Sequence, residues 1–141
     1  MNNQQQNKIC CSNVHVRTST LSKEDTIFDG AFANKDFKKN ELIEYGIVRL
    51  LPECFEGNDS PFVFTWSNDI PNTKWAMTSG CAMFYNTSLK EPNVRMDRNF
   101  DDNTFKIVAL RDIQQNEELF HTYKSLKWRK CFQDIRDKIC Q

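Results

Sequence analysis

Apolar residues in this chain fall mostly at every second position, in short runs separated by polar turns. In residues 13–21, NVHVRTSTL, the positions Val14, Val16 and Thr18 share one side, the period of a strand with one face against a core. A second strand is predicted over residues 41–50, after a polar turn at Lys38 to Asn40, and a short aromatic one within residues 61–69, PFVFTWSND. The intervening residues 51–60 read as a loop, and residues 68–73, with Pro71, as a turn. Further on, residues 104–110 place Phe105, Ile107 and Ala109 on one face. Gln114-Gln115-Asn116 then turns the chain into a last strand, residues 117–123. One segment breaks the period of two. In residues 125–139, Trp128, Phe132, Ile135 and Ile139 recur at spacings of four, three and four, which is one stripe of an amphipathic helix. A strand-rich body with this one helix makes α+β the expected class.

Composition narrows the function classes. A chain of 141 residues predicts one domain. Residues 1–11 are polar and low in complexity and read as a disordered leader, which leaves 12–141 for the domain. Nineteen basic residues balance nineteen acidic ones, so no global charge draws the chain to nucleic acid, and no direct nucleic-acid contact is expected. A basic peptide partner would need a local acidic patch. Glu53, Glu56 and Asp59 offer one, although three acids in a loop read more readily as a solvated surface. No run approaches the roughly 20 apolar residues of a membrane span, and the polar start is no secretory signal. The expectation is an intracellular protein without membrane contact, its six cysteines free thiols.

Metal binding is not expected. Cys10 and Cys11 are adjacent, eight residues separate Cys131 from Cys140, and neither spacing is that of a zinc knuckle. His15 and His121 are too few and too far apart to add a site.

The chemistry is concentrated in residues 80–123. Phe84 opens an aromatic stretch that carries Asn86-Thr87-Ser88, followed by Pro92-Asn93-Val94 and then by Glu117-Glu118-Leu119 leading to Tyr123. This order and spacing resembles the distal half of the SET-domain protein-lysine methyltransferases, and residues 25–50, with a glycine-containing turn at Phe28-Asp29-Gly30, resemble the proximal half. The short insert between the halves is similar to that of the most compact, viral-like members.

That resemblance implies a fold of several small sheets, with a C-terminal segment threaded under a preceding loop so that Asn86 and Tyr123 come together. It implies S-adenosyl-L-methionine as cofactor, bound by Asp29, Gly30, Phe84, Asn86, Thr87 and Trp128. Tyr123 becomes the catalytic residue, and Tyr45 lines the channel for the substrate lysine. Core packing is an equal reading for Tyr45, and the commoner one for Trp128 on its helical stripe. The partner implied is a protein or peptide bearing lysine, such as a histone tail, which would place the protein in the nucleus. A homodimer would supply the wall that flanking modules give larger members.

The chain departs from the family at Phe28 and Lys124, where glycine is usual, and at Thr87, where histidine is usual. These departures keep open a second reading, a SET-fold module that binds peptide or cofactor and transfers nothing. The lack of an obvious base does not count against an enzyme. Deprotonating a lysine of pKa about 10.4 near neutral pH costs roughly 4 kcal/mol, and a dry aromatic channel beside a sulfonium offsets much of that.

Overall fold

The computed structural model describes residues 6–58, 60, 62–67, 73–88 and 90–122. These residues form nine strands: β1 (Val14–Thr18), β2 (Asp29–Ala33), β3 (Leu42–Leu50), β4 (Phe64–Thr65), β5 (Trp75–Thr78), β6 (Asn86–Thr87), β7 (Val94–Asn99), β8 (Thr104–Ala109) and β9 (Phe120–His121). A 3-10 turn, Ala82–Phe84, precedes β6. The strands make three sheets: the β1–β2 hairpin, a five-stranded sheet in the order β4-β5-β3-β8-β7, and a parallel pair, β6 with β9. Among the described residues no helix is long and apolar enough to cross a membrane.

Several small sheets are as expected, but the α+β class is overturned, because the described residues are all-β apart from one three-residue 3-10 turn. The α+β reading rested on a single apolar stripe, and the helix it predicts over 125–139 lies outside the described residues. The period of two is clearest on β8, whereas β2 is buried at four successive positions, Gly30 to Ala33. Phe105, Ile107 and Ala109 are all buried on β8, as their alternation predicts. Around them the core gathers Phe37, Ile43, Trp66, Tyr85, Val94, Ile113 and Leu119.

The first strand is present as β1, but two details differ from the sequence reading. On β1 only Val14 is buried, while Val16 is 37 % exposed and Thr18 is exposed, although the partner strand β2 is buried from Gly30 to Ala33. Gly30 lies not in a turn but inside β2, paired with Arg17. Three of the polar turns use asparagine in the left-handed region: Asn40 (φ 72°), Asn103 (φ 58°) and Asn116 (φ 74°). Asparagine tolerates that conformation better than most residues, so these turns hold their shape without glycine.

β3 carries one irregularity that matters. Its register with β8 slips between Leu42 and Glu44, a bulge that leaves Ile43 and Glu44 both buried although they are neighbours. A carboxylate is thereby turned into the protein interior.

Candidate functional site

Residues 117–121 run between two distant parts of the chain. On one side the Ala33 N–H donates to the Glu117 carbonyl at 3.0 Å and the Leu119 N–H to the Ala31 carbonyl at 2.8 Å. On the other side β9 pairs in parallel with β6, Asn86 opposite Phe120 and Thr87 opposite His121. A pair this short needs help. The buried Asn93 provides it: its Nδ2 donates to the Glu118 carbonyl at 2.8 Å, and its Oδ1 accepts the Phe120 N–H at 2.7 Å. Its own N–H donates to the Phe120 carbonyl at 3.0 Å, so one residue of the Pro-Asn-Val element fixes the strand on which Glu118 sits.

Glu118 is the hub of the corner this creates. Its carboxylate accepts from Ser19 Oγ at 2.8 Å, from the Thr20 N–H at 2.8 Å, from Thr20 Oγ1 at 2.5 Å and from Asn86 Nδ2 at 3.1 Å. The same Asn86 amide donates to the Asp29 carbonyl at 3.0 Å. Gly30 lies against both groups. A Cβ there would stand 2.4 Å from Glu118 Oε2, closer than a side chain can approach, and a tight 3.1 Å from Asn86 Nδ2. Glycine is required by this close approach and not by a turn.

The corner is rich in oxygen. Among the described residues no lysine or arginine pairs with Glu118, whose charge is met by hydroxyl, amide and backbone donors. Asp29 opens β2 with an exposed side chain next to it, and Asn86 Oδ1 accepts no hydrogen bond from the described residues. Such a corner favours a cationic, ammonium-bearing ligand.

The SET-domain family model matches residues 29–124, more than half of the chain, beginning at Asp29 and closing beyond β9. The chain belongs to the SET-domain family. A solved structure of a candidate histone methyltransferase from Plasmodium falciparum has a similar fold, with a TM-score of 0.57 and 23% identity over 84% of this chain and 95% of that one. No curated protein matches the chain.

The SET domain thus brings together Asp29, Gly30 and Asn86, as the resemblance implies. Thr87 is buried beside them in β6, while Phe84 at the end of the 3-10 turn is exposed. Tyr45 sits half-buried on β3, opposite Lys106, with its backbone bridged to Cys10. No hydrogen bond among the described residues joins it to the Asn86 corner. Tyr123, Lys124 and Trp128 lie outside the described residues. Phe28 has an ordinary negative φ, and its backbone is tied to Ser22 Oγ and the Ser19 N–H, so the turn closes here without the family's first glycine.

Four residues of this region escaped the sequence reading: Glu118, Asn93 and the hydroxyl pair Ser19-Thr20. Glu118 and Asn93 stand inside motifs visible in the sequence, but nothing local shows that a Ser-Thr pair nearly a hundred positions upstream solvates that carboxylate.

Two further buried groups lie behind the site. Glu44 Oε1 accepts from the Tyr85 hydroxyl at 2.8 Å and Oε2 from the Cys81 N–H at 2.8 Å; burial raises its carboxyl above the usual range despite both bonds. Burial, and then the Glu44 carboxylate, push the Tyr85 hydroxyl well up, and the same causes push the Cys81 thiol up to about 12. On β9, burial first and the Arg98 charge second bring the His121 imidazole down to about 3, so it is neutral in the folded protein.

Proposed function

We propose that this SET domain is a protein-lysine N-methyltransferase that uses S-adenosyl-L-methionine. One observation carries the reading: the Asn86 amide bridges Asp29 and Glu118 beside a glycine that leaves no room for a side chain. The donor set suits the cofactor's amino-acid end, because its ammonium would meet the exposed Asp29 carboxylate and the remaining Asn86 oxygen. Backbone groups of Asn86 and Thr87 and the exposed Phe84 ring then border the adenosine, with Trp128 as a further aromatic face. When bound, the cofactor supplies an electrophilic methyl group on a sulfonium centre.

The chain's own part is positioning. Glu118, held by donors from residues 19–20 and 86, fixes Asn86, and Asn93 fixes Glu118. By family resemblance the Tyr123 hydroxyl aligns the lysine amine, and Tyr45 forms a wall of the lysine channel. Alignment of this kind accounts for much of the acceleration of a displacement at carbon. The substrate class is a lysine-bearing protein, a histone tail among the first to try, which would set the protein's work in the nucleus.

The test is titration of the full chain with S-adenosyl-L-methionine by calorimetry, followed by incubation with methyl-labelled cofactor and a panel of histones and cell proteins. Saturable binding, weakened about tenfold or more in Asn86→Ala, and label in protein lysine are expected. Folded protein that binds no cofactor at millimolar concentration would end this reading. Binding without transfer to any protein would replace it with the binding-module reading.

A further inference from the structure

A second group of side chains plays no part in the proposed methyl transfer. Cys11, Glu44 and Cys81 each present one donor atom, and the three atoms lie within 4.8 Å of one another. Each comes from a different element, and each is held in place by backbone. Cys10 exchanges hydrogen bonds with Tyr45, N–H to carbonyl at 2.9 Å and 3.2 Å, which lays Cys11 along the edge of β3 next to Glu44. Cys81 follows a loop whose Ser79 N–H donates to the Ile47 carbonyl at 3.0 Å and whose Ser79 Oγ accepts the Ile47 N–H at 3.0 Å. The β3 bulge supplies the third member by turning Glu44 inward.

Gly80 leaves the space between them open. Its φ of +64° is one that side chains rarely adopt, and a Cβ there would lie 2.3 Å from Glu44 Oε2 and 3.5 Å from Cys11 Sγ. Among the described residues no lysine or arginine pairs with Glu44. A buried carboxylate without a cation, beside two thiols, is costly unless something positive joins it.

We propose that Cys11, Glu44 and Cys81 bind a zinc ion, which pins the N-terminal segment and the loop after β5 to the bulge of β3. Two thiolates and a carboxylate are a donor set that zinc favours, and hard ions such as magnesium do not. Around one tetrahedral zinc these donors stand about 3.5–3.8 Å apart at usual bond lengths, a small contraction for two half-buried cysteines. Both thiols lose their protons to solvent on loading, and water fills the fourth position. Each Glu44 oxygen accepts one hydrogen bond and keeps a lone pair for the metal, with the Tyr85 hydroxyl orienting the carboxylate.

Cobalt is the probe, because thiolate ligands give it an intense charge-transfer band that water, carboxylate and imidazole do not. The full chain, reduced and metal-free, is titrated with cobalt and then with zinc. One equivalent should develop the band, and zinc should bleach it. A variant with Cys10, Cys54, Cys131 and Cys140 all changed to Ser should keep the band, while Cys11→Ser and Cys81→Ser lose it. Tyr85→Phe, which removes only the hydroxyl, should weaken zinc by roughly 10- to 100-fold in competition with a chromophoric chelator. Wild-type protein that shows no thiolate band with stoichiometric cobalt overturns the proposal without any variant having to fold. So does a band that survives in Cys81→Ser, or reduced protein that takes up no zinc and merely closes a Cys11–Cys81 disulfide in air.

Discussion

At the scale of single residues, Gly30 and Tyr123 separate binding geometry from chemistry. Glu118 cannot swing away from a new methyl group cheaply, because residues 19, 20 and 86 all donate to it. Gly30→Ala should therefore destabilise the fold by about 1–3 kcal/mol, the usual cost of forcing atoms into a filled site. Urea denaturation at fixed pH measures this, and a change within error would mean that the corner is looser than its distances. Tyr123→Phe removes only a hydroxyl. Turnover should drop roughly 100-fold or more with the cofactor dissociation constant unchanged, since a group that aligns reacting atoms acts in the transition state. Equal rates for mutant and wild type would remove Tyr123 from the chemistry.

Among the elements, the weakest link is the parallel β6–β9 pair, only two residues long on each strand. Its hold depends on a side chain acting as backbone, for Asn93 both donates to and accepts from the strand at residues 118–120. Asn93→Ala leaves the buried Glu118 carbonyl and the partly buried Phe120 N–H without these partners, and at roughly 1–3 kcal/mol for an unsatisfied group the loss should be about 2–4 kcal/mol. Hydrogen exchange is the sharper measurement: amides of residues 86–88 and 119–121 should lose protection before those of β3 and β8. Uniform loss across all sheets would show that the pair does not open on its own. The pairing was legible in the sequence only as two motifs in order, because a parallel contact between residues so far apart leaves no local periodicity. β8 was legible as a strand, since Phe105, Ile107 and Ala109 alternate and are buried, although Val108 between them is buried too.

The whole molecule should register pH through His121. Its imidazole stays neutral in the fold down to about pH 3, whereas in the unfolded chain it protonates near its usual 6.5. Between these values the unfolded state binds the extra proton, so stability is complete above pH 6.5 and falls on acidification, by at most about 1.36 kcal/mol per pH unit. The Arg98 charge adds to this by opposing a second cation beside it, and Tyr85 packs edge-on against the ring. Denaturant midpoints measured from pH 6.5 down to about pH 5 should slope in wild type and flatten in His121→Gln, with proton uptake on unfolding as the direct readout. An unchanged slope in the variant would assign the acid sensitivity to other groups.

Because motif order and period are local properties, the sequence alone determined the family and the strands whose alternation is strong, and it singled out Asp29, Gly30 and Asn86, which the fold then places side by side. It misjudged the class, since one apolar stripe near the end outweighed a body whose described residues form strands and a single three-residue 3-10 turn. It placed Gly30 in a turn, where the structure requires glycine for the approach of Glu118 across the sheet. Tertiary structure alone decided that Ser19 and Thr20 solvate Glu118, that a bulge turns Glu44 inward, and that Cys11 and Cys81 meet there. Each of these is a contact between residues distant in sequence, fixed by how sheets pack and not by the pattern of any one segment.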